Sequence, residues 1–116
     1  MISNIASTTN INVSFEFFPP KNKESIESLW LNIKRLEPLE PKFISVTYGA
    51  GGSVRNNTHS LVKEIKQKTS LTPAAHLTCI GTSKAEIESI AEDYWNAGIK
   101  HIVALRGDER ANTIKN

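Results

Sequence analysis

The stretch that decides the fold is residues 73–105, PAAHLTCIGTSKAEIESIAEDYWNAGIKHIVAL. Its opening run, residues 73–80, is short and mostly apolar, which is typical of a buried strand. Thr82 or Ser83 can cap the helix that follows, and Glu86 forms a capping box with Ser83. Gly98 stands where many helices end in a left-handed residue, and a second apolar run follows it. The stretch therefore predicts a strand, a helix and another strand in succession.

The preceding sequence repeats this alternation of periods. Residues 12–18 alternate, with Val13, Phe15 and Phe17 on one side, and β-branched and aromatic residues favour a strand there. The whole chain predicts strands at residues 12–18, 42–47, 73–80 and 99–105, and helices at residues 23–36, 57–68 and after residue 83.

Each predicted helix carries one apolar stripe that can face a core. Pro38 and Pro41 are expected to close the first helix. The stripes, in chain order, are Ile26, Leu29, Ile33 and Leu36, then Leu61, Val62 and Ile65, then Ile87, Ile90, Ala91 and Tyr94.

The resulting order, βαβαβαβ, requires a parallel sheet with right-handed crossovers and places the chain in the α/β class. The two candidate architectures are an open doubly wound sheet and a (β/α)8 barrel. A barrel typically needs about 250 residues, so four strands are about half of one. We expect the strand order 1-2-3-4, with helices on one side only. Residues 1–10 are expected to be a flexible N-terminus, and residues 11–116 the N-terminal half of the barrel.

Composition limits the classes of function. Hydrophobic residues make up 39% and charged residues 22%, and the net charge is only +2, so we expect no nucleic-acid partner. No apolar run is long enough for a membrane helix, and no signal peptide begins the chain. Cys79 is the single cysteine, which fits a reducing, cytoplasmic location. No histidine or cysteine pair has metal-ligand spacing, so no metal site is expected.

Polar residues follow every predicted strand at its carboxyl end, where parallel α/β folds bind their ligands. Together with two small loop residues, Ala50 in the glycine-rich loop and Gly107, the positions at these ends are Glu16, Thr47, Tyr48, His76, Thr78, Arg106 and Asp108. Their convergence on one edge is a stronger signal than any one of them.

Glu16 is flanked by Phe15, Phe17 and Phe18 inside the first strand. Burial among aromatic rings would raise the pKa of its carboxyl and allow it to donate a proton near neutral pH. The alternative is an edge-strand glutamate that faces water. His76 is usually explained as a satisfied core histidine. Arg106 suits a phosphate, and Asp108 beside it serves either as its ion-pair partner or as a functional carboxylate.

Six segments together resemble methylenetetrahydrofolate reductases. They are SFEFFPP (residues 14–20), SVTYGA (45–50), THS (58–60), AHLTC (75–79), DYW (93–95) and IVALRGD (102–108), and they occur in this order in the family. The resemblance covers residues 12–109, and the first, fourth and last segments are highly specific in combination.

The resemblance implies a (β/α)8 barrel that binds FAD and serves one-carbon metabolism. NADH or NADPH would reduce the flavin, and the reduced flavin would then reduce methylenetetrahydrofolate to methyltetrahydrofolate. Glu16 is similar to the family's general acid, which protonates the departing nitrogen as the folate ring opens. Asp108 is similar to the aspartate beside flavin and folate. The cofactor-binding positions implied are Thr47, Tyr48, Ala50, His76, Arg106, Gly107 and Asp108.

The chain departs from the family in two respects. Gly51 and Gly52 follow the second strand, so we expect a more mobile loop there. The family's later strands are missing, and they would complete the FAD site and close the barrel. The implied partners are the nicotinamide cofactor and the folate, with no membrane partner and a homo-oligomer when complete. The alternative hypotheses are a non-catalytic half-barrel binding module and an inactive truncation product.

Overall fold

A computed structural model describes residues 11–48 and 55–107 of the protein, without the side chains of residues 55 and 56. Over these residues the strands and helices alternate as the sequence predicts. The strands are β1 (Ser14–Phe17), β2 (Phe43–Val46), β3 (Pro73–Thr78) and β4 (His101–Leu105), and the α-helices are α1 (Lys23–Leu36), α2 (Arg55–Lys68) and α3 (Lys84–Asn96). The predicted flexible N-terminus, residues 1–10, lies outside the described residues.

The described strands form one parallel sheet in the order β1-β2-β3-β4. This confirms the predicted order and excludes the order 3-2-1-4 of a doubly wound sheet. Successive neighbours joined by helical crossovers are the arrangement of a (β/α)8 barrel wall. The fold class is therefore α/β, with four consecutive units of that barrel.

The helices cover one face of this sheet. Side chains at alternate strand positions join the helices in a single core, whose buried members are Leu29, Ile33, Ile44, Val46, Leu61, Val62, Ile65, Leu71, Ala75, Tyr94 and Ile99. Phe15 and Phe17 pack against this core from β1. Since paired residues of neighbouring parallel strands point the same way, all the strand members of the core lie on one side of the sheet. We call this side the covered face.

Local sequence signals set the helix ends. Asn22 caps α1 by accepting a hydrogen bond from the Ser25 amide at 2.8 Å. Ser83 rather than Thr82 caps α3: its Oγ accepts from the Glu86 amide at 3.1 Å and also donates to the Glu86 carboxylate. These bonds satisfy amides that the first helical turn leaves without partners.

Gly98 ends α3 as the sequence predicts. Its φ is +85°, and its amide donates to the Trp95 carbonyl while the Ile99 amide donates to the Tyr94 carbonyl. This pair of bonds is a Schellman motif, which favours glycine because a Cβ is strained in the left-handed region. Ile99, predicted as the first residue of the last strand, is a buried core residue just before β4.

Four local predictions need correction. All the strands are shorter than predicted. Pro38 lies within a 3-10 helix, Glu37–Leu39, which extends α1 by a tighter turn instead of ending the helical path. Ile26 is 45% exposed, because the core reaches only the Leu29 and Ile33 part of its stripe. α2 begins at Arg55, two residues before the predicted start.

Candidate functional site

The sheet side opposite the helices is called here the open face. On β1 it carries Glu16, and the strand register places Ser45, Ala74 and His101 in line with it. His76 and Val103 are paired two residues further along, toward the carboxyl end. In a parallel barrel this side of the wall lines the interior, and its carboxyl end is where ligands bind.

Glu16 and His76 meet on the open face. The Nε2 atom of His76 lies 3.2 Å from Oε1 of Glu16, an ion-pair contact when the imidazole is protonated. The two residues belong to β1 and β3, so the contact must cross β2, where Ser45 offers a small side chain at the level of Glu16. The strand register thus brings together two predicted site residues that are far apart in sequence.

The two partners differ in burial. The His76 side chain is 10% exposed, whereas that of Glu16 is 53% exposed. The expectation that Glu16 is buried among aromatic rings is therefore wrong for the described residues. Phe15 and Phe17 point to the covered face, because side chains alternate along a strand. Their aromatic rings lie across the sheet from the carboxylate instead of around it.

Thr47 lies directly after β2, and two hydrogen bonds hold its backbone. Its amide donates to the Phe17 carbonyl at 3.0 Å, and its carbonyl accepts from the Thr58 hydroxyl at 2.8 Å. Its own Oγ1 is buried and has no hydrogen-bond partner within the described part of the chain. A buried hydroxyl of this kind is available to a polar ligand.

Sequence reasoning missed the role of Thr58, which is fully buried on α2. Its hydroxyl fixes the end of β2 to the beginning of the following helix. The available signal was its spacing: Thr58 stands three and four residues before Leu61 and Val62, so it continues their buried stripe. A polar residue on such a stripe requires a hydrogen-bond partner.

Arg106 and Gly107 follow β4 and lie beside the end of β3. The Ile80 amide donates to the Arg106 carbonyl at 3.0 Å, which continues the pairing of the two strands. Gly107 has a φ of +91°, and a Cβ there would approach Ile80 Cγ2 to 2.7 Å and Thr78 Cβ to 3.0 Å. Only glycine fits this turn without displacing the Ile80 and Thr78 side chains. The exposed Arg106 is thus held at the carboxyl end of the sheet by its backbone bond to Ile80.

Tyr48 is half-buried next to Thr47, at the same end of the sheet. Ala50 and Asp108, the other two predicted site residues, lie outside the described residues. No group of three or more potential metal ligands occurs within residues 11–48 and 57–107. Among the described helices, none combines the length and apolar character needed to cross a membrane.

The arrangement has the layout of an enzyme built on a (β/α)8 barrel: an exposed carboxylate, a buried imidazole and an arginine converge on the carboxyl end of a parallel sheet. A family model described as methylenetetrahydrofolate reductase matches residues 1–115. The chain belongs to the methylenetetrahydrofolate reductase family, which is a family of oxidoreductases.

Individual relatives agree with this family. The 5,10-methylenetetrahydrofolate reductases of Salmonella typhimurium and Escherichia coli are each 59% identical over 98 residues, which is 84% of this chain and 33% of the relative. Methylenetetrahydrofolate reductase (NADH) 1 of Arabidopsis thaliana is 36% identical over 95 residues, which is 82% of this chain and 16% of that protein. The chain thus spans about a third of the length of its bacterial relatives.

Proposed function

We propose that the complete protein is a cytoplasmic, homo-oligomeric enzyme that reduces 5,10-methylenetetrahydrofolate to 5-methyltetrahydrofolate, with FAD as cofactor and NADH or NADPH as electron donor. The names of the bacterial relatives support the folate reaction. The name of the Arabidopsis relative supports NADH as one donor. This chain contributes the first four strands of the barrel, the helices between them and their part of the active site.

The observation that carries the proposal is the position of Glu16. Its carboxylate is half exposed on the open face, 3.2 Å from His76, at the sheet end where barrel enzymes bind substrates. A carboxyl group that a ligand can reach, and that a neighbouring imidazole holds in place, is suited to general acid catalysis. Glu16 would protonate the nitrogen that departs when the five-membered ring of the folate opens.

The residues present also fit part of a flavin site. The buried Thr47 Oγ1 offers a hydrogen bond to a polar ligand, and the exposed Arg106 can bind a phosphate in bidentate geometry. Once reduced by the nicotinamide, bound FAD would supply the hydride. The residues proposed to hold it are Thr47, Tyr48, Ala50, His76, Arg106, Gly107 and Asp108. The negative charge of Asp108 would in addition favour the cationic form of the opened folate.

The proposal is tested in a chimeric reductase in which this chain replaces the matching segment of the Escherichia coli relative. Stopped-flow absorbance measures the two half-reactions separately: flavin reduction by NADH or NADPH, then flavin reoxidation by the folate. Glu16→Gln keeps the shape of the side chain but removes the acid. We expect folate reduction to fall by roughly 10²- to 10⁴-fold, the usual contribution of a general acid, while flavin reduction persists.

Glu88→Gln is the matched control, because it makes the same chemical change on the exposed surface of α3. It should leave both half-reactions intact. Equal slowing of both half-reactions by Glu16→Gln would show a structural role and remove the assignment of Glu16 as the acid. A folded, flavin-loaded chimera that does not turn over the folate would contradict the proposed function itself.

A further inference from the structure

We infer that His76 is the positioning residue and proton source of Glu16, an inference that rests on the proposed function. The contact that carries it is the 3.2 Å approach of His76 Nε2 to Glu16 Oε1 across β2. The imidazole is 10% exposed, so the sheet encloses it, whereas the carboxylate is 53% exposed and remains accessible from solvent. The geometry is that of a buried group in contact with an exposed one.

The surroundings of Glu16 on the open face explain why it would need a neighbouring proton donor. A general acid must carry a proton when its substrate reacts, and burial is one way to keep a carboxyl protonated. Phe15 and Phe17 lie on the covered face and Phe18 is 73% exposed, so within the described chain these rings do not bury Glu16. The other route is a neighbour that delivers a proton near neutral pH, and histidine is the side chain suited to this task.

The proposed step moves one proton and no electrons. The Nε2–H bond of the imidazolium breaks and an O–H bond forms on Oε1, so that the imidazolium becomes neutral and the carboxylate becomes a carboxylic acid. Glu16 then gives this proton to the departing nitrogen of the folate. Water returns a proton to His76 before the next turnover.

Few other charged groups face this pair within the described residues. β2 contributes no titratable side chain to the open face beside it, and His101 on β4 lies in line with Ala74, two residues before His76. Arg106 follows the end of β4. The helices pack on the opposite side of the sheet, and the ring of His59 contacts Tyr94 there.

Two substitutions of His76 in the same chimera distinguish its positioning of the Glu16 carboxylate from its supply of a proton to that carboxylate. His76→Gln retains an Nε2 donor that can hold Glu16 but cannot take up a proton, whereas His76→Leu removes both capacities. The measurement is the single-turnover rate of flavin reoxidation at saturating folate between pH 5 and pH 9. As the pH is raised, the rate should begin to fall at a lower pH in both variants than in the parent. The reason is that Glu16 must then take its proton from solvent instead of from His76.

The variants should differ at the acid end of this range. There Glu16 can take its proton from solvent, so His76→Gln should approach the parent rate. His76→Leu should remain slower by roughly 10- to 100-fold, the usual effect of losing one charge-assisted hydrogen bond. An unchanged pH profile in both variants would overturn the proton-source role, and equal rates of the two variants at acid pH would overturn the positioning role.

A double-mutant cycle distinguishes action through Glu16 from a separate effect on the flavin. If His76 acts through Glu16, adding His76→Leu to Glu16→Gln should cause little further loss of the folate half-reaction. If the double variant instead lost a rate factor equal to the product of the factors lost by the two single variants, the inference would be overturned. The Glu88→Gln background is the control, because His76→Leu should there retain its whole effect.

Failure of the proposed function gives a different result. In that case the parent chimera reduces no folate, yet the contact remains measurable in the NMR ring signals of the three histidines that this chain contributes to the chimera. Glu16→Gln should then shift the His76 signal, identified by its loss in His76→Gln, more than it shifts those of His59 and His101. A His76 signal that does not respond to Glu16→Gln would overturn the contact itself.

Discussion

The two faces of the sheet use neighbouring residues for opposite purposes. On the covered face, Ile44 and Val46 are fully buried and belong to one core with residues of α1, α2 and α3. On the open face, the intervening Ser45 lies beneath the path from Glu16 to His76. The covered face stabilises the fold by removing apolar surface from water, whereas the open face carries the contact between Glu16 and His76.

This difference follows from the two-residue period of a strand. Consecutive residues point to opposite sides, so each strand can contribute to stability and to chemistry at the same time. A shift of one residue in the pairing would turn Phe15 to the ligand side and Glu16 into the core. The apolar residues of the covered face therefore also determine the direction in which the Glu16 side chain points.

The largest effect on stability is expected from Ile44→Ala on the covered face. Ile44 is fully buried, so its truncation leaves a cavity and should lower the free energy of unfolding by about 2–5 kcal/mol. Leu105→Ala is the matched control on the open face: the side chain has the same number of carbons but is 45% exposed. It should cost less than about 1 kcal/mol. Urea denaturation followed by circular dichroism measures both, and equal losses would remove the distinction between the faces.

A somewhat smaller effect is expected from Gly107→Ala at the carboxyl end of the sheet. A left-handed backbone costs an alanine about 1 kcal/mol, and the close approach to Ile80 adds roughly 1–3 kcal/mol of crowding. Gly81→Ala provides the control, since Gly81 also has a positive φ but its Cβ would meet no atom within 4 Å. Thermal unfolding should therefore show a clearly larger loss for Gly107→Ala. A loss no greater than that of Gly81→Ala would mean that the turn can relax.

Thr58→Val tests the link between the two faces. The substitution preserves shape but removes the hydroxyl that donates to the Thr47 carbonyl, so we expect a loss of about 1 kcal/mol. Hydrogen exchange of the Thr47 amide, which is bonded to Phe17, should become faster as the end of β2 loosens. Thr58→Ser retains the donor and should keep that amide protected. Unchanged exchange in the valine variant would show that β2 does not need this anchor.

The smallest effect concerns the outer surface of the helices on the covered face. The Lys63 ammonium, through its hydrogen bond and its charge, lowers the pKa of the Asp93 carboxyl from its ordinary value of 3.8. A depressed pKa contributes stability above the unfolded value, and this stability is lost as pH falls through the folded value. Because Asp93 is 59% exposed, solvent screening keeps the contribution small.

The midpoints of urea denaturation at pH 7 and below pH 3 test whether Asp93 stabilises the fold at neutral pH and loses this effect in acid. Asp93→Asn should be less stable than the parent at pH 7, and the difference should shrink in acid, where the parent carboxyl is also neutral. Glu92→Gln, on the adjacent exposed position, should show no such pH-dependent difference. A difference that persists unchanged in acid would mean that the substitution acts through packing rather than through the charge of Asp93.

The sequence alone determined the features that depend on neighbouring residues. The alternation of residues 12–18 assigned Phe15 and Glu16 to opposite sides, Ser83 and Gly98 marked the ends of α3, and the repeated βα pattern indicated a parallel sheet. The motifs that resemble the reductase family identified the family, which the comparisons confirm. These signals are local or additive along the chain, because turns, caps and periodicity involve residues a few positions apart.

The tertiary structure alone decided how these parts meet. Burial of Glu16 was expected from its aromatic neighbours, but the helices pack against the side of the sheet that carries Phe15 and Phe17 and leave the Glu16 side uncovered. The contact with His76 depends on the register of three strands, and the anchor from Thr58 to Thr47 depends on how α2 packs against β2. No local pattern contains these distances, since they arise only when the buried apolar side chains of the covered face fix the strands relative to one another.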